Sequence, residues 1–340
     1  MTPRRPLLAA LLGAALAAPA AATPPSDGLF APAAASDSAR AALRPGLGRS
    51  GSLRVAVVQA MQALELPTAA PAGAAGTRYR WEPLLGTRPE PLAGEAVASG
   101  AFFAPAAPGV WRLAVPRPML AAFAPPAAGA GALDGLAVIT RVPFSAKRDG
   151  RLNGYRIGTY PGEDGRGAGR YALPVGFIEV TRENQELQLS EHFRLRQFLT
   201  KDQFDVWPKY LVLDLRLIDK LELVIQELNA MGVRAERMHV MSGYRTPQYN
   251  GPGGDGRAAL SRHMYGDAAD VWVDNDGDGY IDDLNSDGRR DIEDAKLIRL
   301  AVERVEQRYP ELAGGCGVYY ENAAHGPFVH IDTRGHAVRW

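Results

Sequence analysis

Residues 261–274 read SRHMYGDAADVWVD and place a histidine and an aspartate, His263 and Asp270, seven positions apart around a GDAAD turn. Gly266 and the small Ala268 and Ala269 permit close backbone approach in that turn. Asp270 then enters a strand whose apolar neighbours Val271 and Val273 point the other way, because successive side chains alternate across a strand. A second strand of the same kind, FVHID, follows at 328–332. There Val329 and Ile331 face a core, while Phe328, His330 and Asp332 share the opposite face. A catalytic zinc site takes three protein ligands from His, Asp and Glu and leaves a fourth position for water. The stretch therefore poses one question: whether His263, Asp270 and His330 converge on a single ion.

The flanking sequence sets the fold around these strands. LSEHFRLRQFLTK (189–201) and YLVLDLRLIDKLELVIQELNAMG (210–232) carry apolar residues at helical spacing, the second ending at Gly232. RMHVMSGYR (237–245) reads as a strand running into a loop. DIEDAKLIRLAVERVEQRYP (291–310) reads as an amphipathic helix with acids in its first turn, and CGVYY, PFVHIDTR and AVRW as closing strands. Helices followed by a small sheet predict an α+β domain over 186–340.

Between Asp270 and that last helix lies DNDGDGYIDDLNSDGRRD (274–291), a nine-residue repeat. Asp274, Asp276, Asp278 and Asp282 match Asp283, Asn285, Asp287 and Asp291, with Gly279 matching Gly288. Oxygen ligands at positions 1, 3 and 5, glycine at 6 and an acid at 9 open an EF-hand loop. Position 12 of the first unit is Asn285 rather than Glu, so the pattern resembles the shorter calcium loops of extracellular proteins. The spacing predicts a structural calcium ion on these eight residues, ordering the insertion beside the cleft.

The N-terminal half reads differently. Arg4 and Arg5, the apolar run Leu7–Ala18 and the small Ala20–Ala22 predict a cleaved signal peptide over 1–22, hence export, in a periplasmic setting, with no stable membrane span afterwards. Residues 23–50 read as a flexible leader. Short apolar runs separated by Pro/Gly/Ala stretches predict a β-rich, sandwich-like accessory domain over 51–145, then a β connector over 146–185. The formal charge is zero, so no global field draws the chain to nucleic acid. The lone Cys316 excludes an internal disulfide and reads as a buried small hydrophobe. His192, His239 and His336 read as structural.

Taken together, SGYRTPQYN, SRHMYGDAAD and GPFVHIDTRG followed by AVRW resemble the zinc D-Ala-D-Ala peptidases. That group also contains lysostaphin-type endopeptidases and the hedgehog signalling domain; the likeness, over 189–340, is to the murein-active branch ending in an HxD strand. The resemblance implies zinc ligands His263, Asp270 and His330, and a substrate in the peptide part of peptidoglycan. It implies that Arg245 holds a substrate carboxylate or polarises the scissile carbonyl, and that Ser261 lines the pocket. Many members carry an acid three residues before the last histidine ligand; here that position is Pro327. The expected proton carrier is then Asp332, with His325 as its rival, since lysostaphin-type relatives use a histidine near the last ligand, and Glu321 as the third candidate. Carboxypeptidase and endopeptidase action stay open. So do a zinc-containing but silent wall-binding module and a calcium-stabilised envelope protein.

Overall fold

A computed structural model describes residues 41–42, 54–65, 78–87, 96–97, 102–114, 136–164, 171–252 and 257–340. The chain is a mixed α/β structure of small sheets and few helices. The expected signal peptide lies outside the described residues, as does all of the leader except Ala41–Ala42, a two-residue strand paired with Leu64–Glu65.

The C-terminal sheet holds five strands: β1 (Met238–Ser242), β2 (Ala268–Val273), β3 (Gly315–Tyr319), β4 (Phe328–Asp332) and β5 (Val338–Arg339). Their order is β1-β2-β4-β3-β5, antiparallel except for the last pair. Helix α1 (Leu215–Ala230) and helix α2 (Ile292–Arg308) pack against each other, and α2 packs on β3 and β4. Leu217, Ile218, Leu221, Val224, Ile225 and Leu228 of α1 are all buried. Each contributes about 1.5–3 kcal/mol relative to exposure.

Asp214 caps α1 by accepting from the Arg216 amide at 3.0 Å, and Gly232 follows its end at φ +82°. The helical reading of 210–232 therefore holds only from residue 215; Lys209–Leu211 is a strand paired with Gly176–Val180. The helix expected over 189–201 is likewise corrected. Only Leu195–Phe198 makes a 3-10 turn, because the Leu189 and Ser190 amides donate to the Phe193 carbonyl and the Leu195 amide to that of Leu187. The helical spacing there reflects Leu189, Phe193, Leu195 and Phe198 turned into the core from an irregular loop. Helix α2 matches its expectation: Asp291 accepts from the Glu293 amide, and Asp294 accepts from the Asp291 amide.

Further toward the N-terminus, Arg54–Val58, Leu136–Thr140, Gly109–Ala114, Arg78–Leu84 and Ala96–Val97 form a five-stranded sheet in that order. Its Val110 and Ile139 join the same buried cluster as Phe177, Leu211 and Tyr265. This sheet lies within the span of the expected sandwich, 51–145, about half of whose residues are outside the described set. Within the expected connector, 146–185, Arg151–Leu152 pairs with Tyr155–Arg156 across an Asn153–Gly154 turn, both residues having positive φ.

Among the described residues, no helix is long and apolar enough to cross a membrane. Cys316 is fully buried, and burial pushes its thiol up to about 12, which removes it from nucleophilic chemistry.

Candidate metal centre and cleft

Three elements bring the site together. Ser261 precedes a short 3-10 turn, Arg262–Tyr265, that carries His263 and ends at Gly266 with φ +75°. A Cβ at Gly266 would stand 2.2 Å from the Val212 carbonyl oxygen, and the Gly266 carbonyl accepts from the Asp214 amide at 2.9 Å. Only glycine fits both the left-handed backbone and that approach. The chain then turns into β2, where Asp270 pairs in register with His330 of β4 and with Ser242 of β1. The ligands thus sit mid-sheet, on adjacent strands, with the turn folding His263 over them.

The donor atoms form a small triangle. His263 Nε2 lies 3.2 Å from Asp270 Oδ1 and 3.2 Å from His330 Nδ1, and His330 Nδ1 lies 3.0 Å from Asp270 Oδ1. A tetrahedral ion with zinc-like bond lengths sets ligand atoms roughly 3.3 Å apart. The outer atoms fix the tautomers. His263 Nδ1–H donates to the Gly243 carbonyl at 2.7 Å, and His330 Nε2–H donates to Asp332 Oδ2 at 3.1 Å. The two remaining ring nitrogens face one carboxylate oxygen, an arrangement that a shared cation would satisfy. Two imidazoles and a carboxylate with a buried back side fit zinc.

Electrostatics agree. Burial pushes the His263 imidazole down. Burial also opposes charge on His330, but its hydrogen bonds to Asp270 and Asp332 outweigh that and raise it to about 9. Burial disfavours the Asp270 carboxylate, yet the two histidines hold it well below the usual carboxylate range. The triangle attracts positive charge.

A cleft of about 780 Å³ opens over the triangle. Arg245, Ser261 and His325 line it with the three ligands. Arg245 Nε donates to Ser242 Oγ at 2.8 Å, and its Nη2 pairs with the outer oxygen of Asp270. Ser261 is buried in the wall. The Nδ1 of His325 faces the Gly326 carbonyl at 2.8 Å, its Nε2 the Asn322 amide at 2.8 Å, and its ring meets Phe328 edge-on. Asp332 is not in the cleft. It lies fully buried beneath His330, accepting from the Gly315 amide at 2.7 Å and from the Arg334 amide and guanidinium. Trp340, quoted in the sequence but given no role, tilts over His330 with ring centroids 5.4 Å apart.

The remaining histidines are elsewhere. His192 bonds Glu222, His239 stacks on Trp272 at 4.4 Å, and His336 is exposed. In the acidic insertion, oxygens of Asp274, Asp276 and Asp282 lie within 4.8 Å of one another. The two repeat units share a conformation: Gly279 and Gly288 have φ +85° and +83°, and each donates its amide to the first aspartate of its unit. Asp276 and Asp278 accept from the amides two residues on, as do Asn285 and Asp287, and Asp291 is spent on the cap of α2.

Residues 200–285 match the family model described as Peptidase M15. The match supports the zinc D-Ala-D-Ala peptidase group recognised from the motifs, and with it a metallopeptidase. It spans His263 and Asp270 and stops short of His330, which the sheet register supplies. That peptidase family is zinc-dependent, in accord with the donor triangle. No curated protein and no solved structure matches the chain.

Proposed function

We propose that the protein is an exported zinc peptidase that hydrolyses peptide bonds in peptidoglycan stem peptides or their cross-links. The observation that carries this reading is the triangle of His263 Nε2, Asp270 Oδ1 and His330 Nδ1 at the floor of an open cleft. When bound, zinc supplies Lewis acidity, which polarises a carbonyl and acidifies water near neutral pH. Asp332 takes the Nε2–H of His330 and so aims its Nδ1 at the ion site, and the Gly243 carbonyl takes the Nδ1–H of His263 and aims its Nε2 there. Arg245 holds Asp270 and turns its remaining guanidinium edge to the peptide. Proton transfer to the leaving amine falls to His325, a cleft-lining imidazole with no ligand role whose Nε2 would exchange the Asn322 amide for substrate, rather than to Asp332, which is fully buried beneath His330 and does not line the cleft. Ser261 lines the substrate wall.

The Arg4–Arg5 and Leu7–Ala18 pattern supports export and a periplasmic place of work. The silent-module alternative is not favoured by a peptidase family match. Calcium in the insertion belongs to the same proposal: the close oxygens of Asp274, Asp276 and Asp282 support a structural ion there. Full recovery of activity and melting temperature in chelator-stripped protein given zinc alone would remove it.

The test of the main reading is metal analysis of purified protein followed by muropeptide digestion with and without chelator. Zinc near one per chain with new, chelator-sensitive peptide products is the expected result. Absence of zinc, or zinc without products from several murein preparations, overturns it.

A further inference from the structure

The cleft is lined by five cationic side chains, Lys201, Arg245, Arg257, Arg262 and Arg334, against a single carboxylate, Asp270. Three of the five are already matched. Arg245 pairs with Asp270, Arg262 with the buried Asp267, and Arg334 with the buried Asp332. Arg257 and Lys201 have no carboxylate partner among the described residues. Arg257 Nη1 donates to the Tyr249 carbonyl at 2.7 Å, and its guanidinium lies over the Tyr249 ring, 4.7 Å from the centroid. One edge of the fork is thus anchored and the plane is fixed, while Nε and Nη2 have no partner among the described residues. Among the described residues, the Lys201 ammonium has one hydrogen-bond acceptor, the Val240 carbonyl at 3.5 Å.

We propose that Arg257 and Lys201 form a carboxylate-binding subsite in the cleft wall, so that the preferred substrates are peptides bearing a free carboxylate outside the scissile bond. This deepens the peptidase reading and rests on it. A stacked guanidinium with an unused edge is pre-organised for a bidentate carboxylate, and the flexible ammonium adds charge without directional demand. Arg245 cannot supply the same contact in full, because its Nε and Nη2 are committed to Ser242 and Asp270. The carboxylate has two sources in a stem peptide, the chain terminus or an acidic group within the stem, and the chemistry recognised is the same.

The experiment uses zinc-loaded protein and two pairs of synthetic stem peptides. One pair differs only in a free or amidated C-terminus, the other only in a free or amidated internal carboxylate. Arg257→Gln is expected to raise KM on one free-carboxylate peptide roughly 10- to 100-fold, with kcat nearly unchanged, and to leave its amidated twin unaffected. Arg257→Lys recovers part of the loss, and Lys201→Gln gives a smaller change of the same kind. The pair that responds identifies the source. Equal losses on free and amidated peptides, or none, overturn the subsite. If the wild type cleaves none of the four, the peptidase reading fails, and calorimetric titration of the same peptides judges the subsite separately. A preference for carboxylate over amide that Arg257→Gln abolishes sustains it, and no preference overturns it.

Discussion

Two groups of metal-type ligands alternate along the chain, the second beginning four residues after Asp270, and they are built in opposite ways. In the triangle of His263, Asp270 and His330 each histidine is hydrogen-bonded on its far side, to Gly243 or Asp332, and the near-side atoms meet one another. The insertion's aspartates instead spend their oxygens on their own backbone. Asp274 accepts from Gly277 and Gly279, and Asp283 from Asp287 and Gly288. The first group turns its unspent ligand atoms on one point, where a cation would fit; the second is a set of turns that a cation would only reinforce. Ligand spacing in sequence does not separate these cases. What stands behind each ligand does.

The contrast can be broken most sharply by removing one residue from each group. His330→Ala is expected to lower peptide cleavage by at least on the order of a thousandfold and to abolish stoichiometric zinc, since both Lewis acidity and a ligand are lost. Asp276→Asn, measured in parallel, should change turnover by less than about twofold. Comparable losses in the two variants would erase the distinction.

Next in size is the turn that delivers His263. Gly266→Ala meets both a left-handed backbone and the Val212 carbonyl at 2.2 Å, and should cost about 3 kcal/mol or more in denaturant unfolding. A loss below about 1 kcal/mol would mean that the turn relaxes and does not position the ligand.

Asp332→Asn sharpens the role of the far-side partner. A loss of roughly 10- to 100-fold in zinc affinity is expected, read by competition with a chromophoric chelator. If zinc affinity is unchanged while turnover vanishes, Asp332 is the proton carrier and His325 is not.

The smallest effect concerns a histidine outside both groups. The hydrogen bond that His192 donates to Glu222 raises the imidazole against the opposing effect of burial, and burial of Glu222 is outweighed by the same partner, which lowers its carboxyl. A raised folded value means that the His192 contribution is complete below the unfolded value near 6.5 and is lost as pH rises through the folded one. Wild-type stability should therefore fall relative to His192→Gln across that window, measured by thermal melts at stepped pH. Parallel curves would show the pair to be inert.

The site was more legible than the framework around it. Period-two alternation placed His330 on the correct face of β4, and the GDAAD turn marked the close approach at Gly266, because both are local consequences of backbone geometry. Asp332 shares that strand face with His330, so pattern alone suggested the cleft; its burial depends on Gly315 and Arg334, which no local rule connects to it. The loop over 189–201 failed for a related reason. Its buried Leu and Phe residues copy a helical period, while Phe193 and Leu187 divert the amide bonds into turns. Arg257 and Lys201 carry no motif at all and become visible only as walls of one cavity.

Lys220 gives this architecture a further consequence. Its wholly buried ammonium donates to the Asp332 carbonyl at 2.6 Å and to Glu306 at 2.7 Å, tying α1 and α2 to the strand that carries His330. Severing such a buried pair costs about 3–5 kcal/mol, so the strand is anchored from behind by the core and not from the front by an ion. A zinc ion taken up by the triangle would therefore fill a finished socket rather than complete the fold.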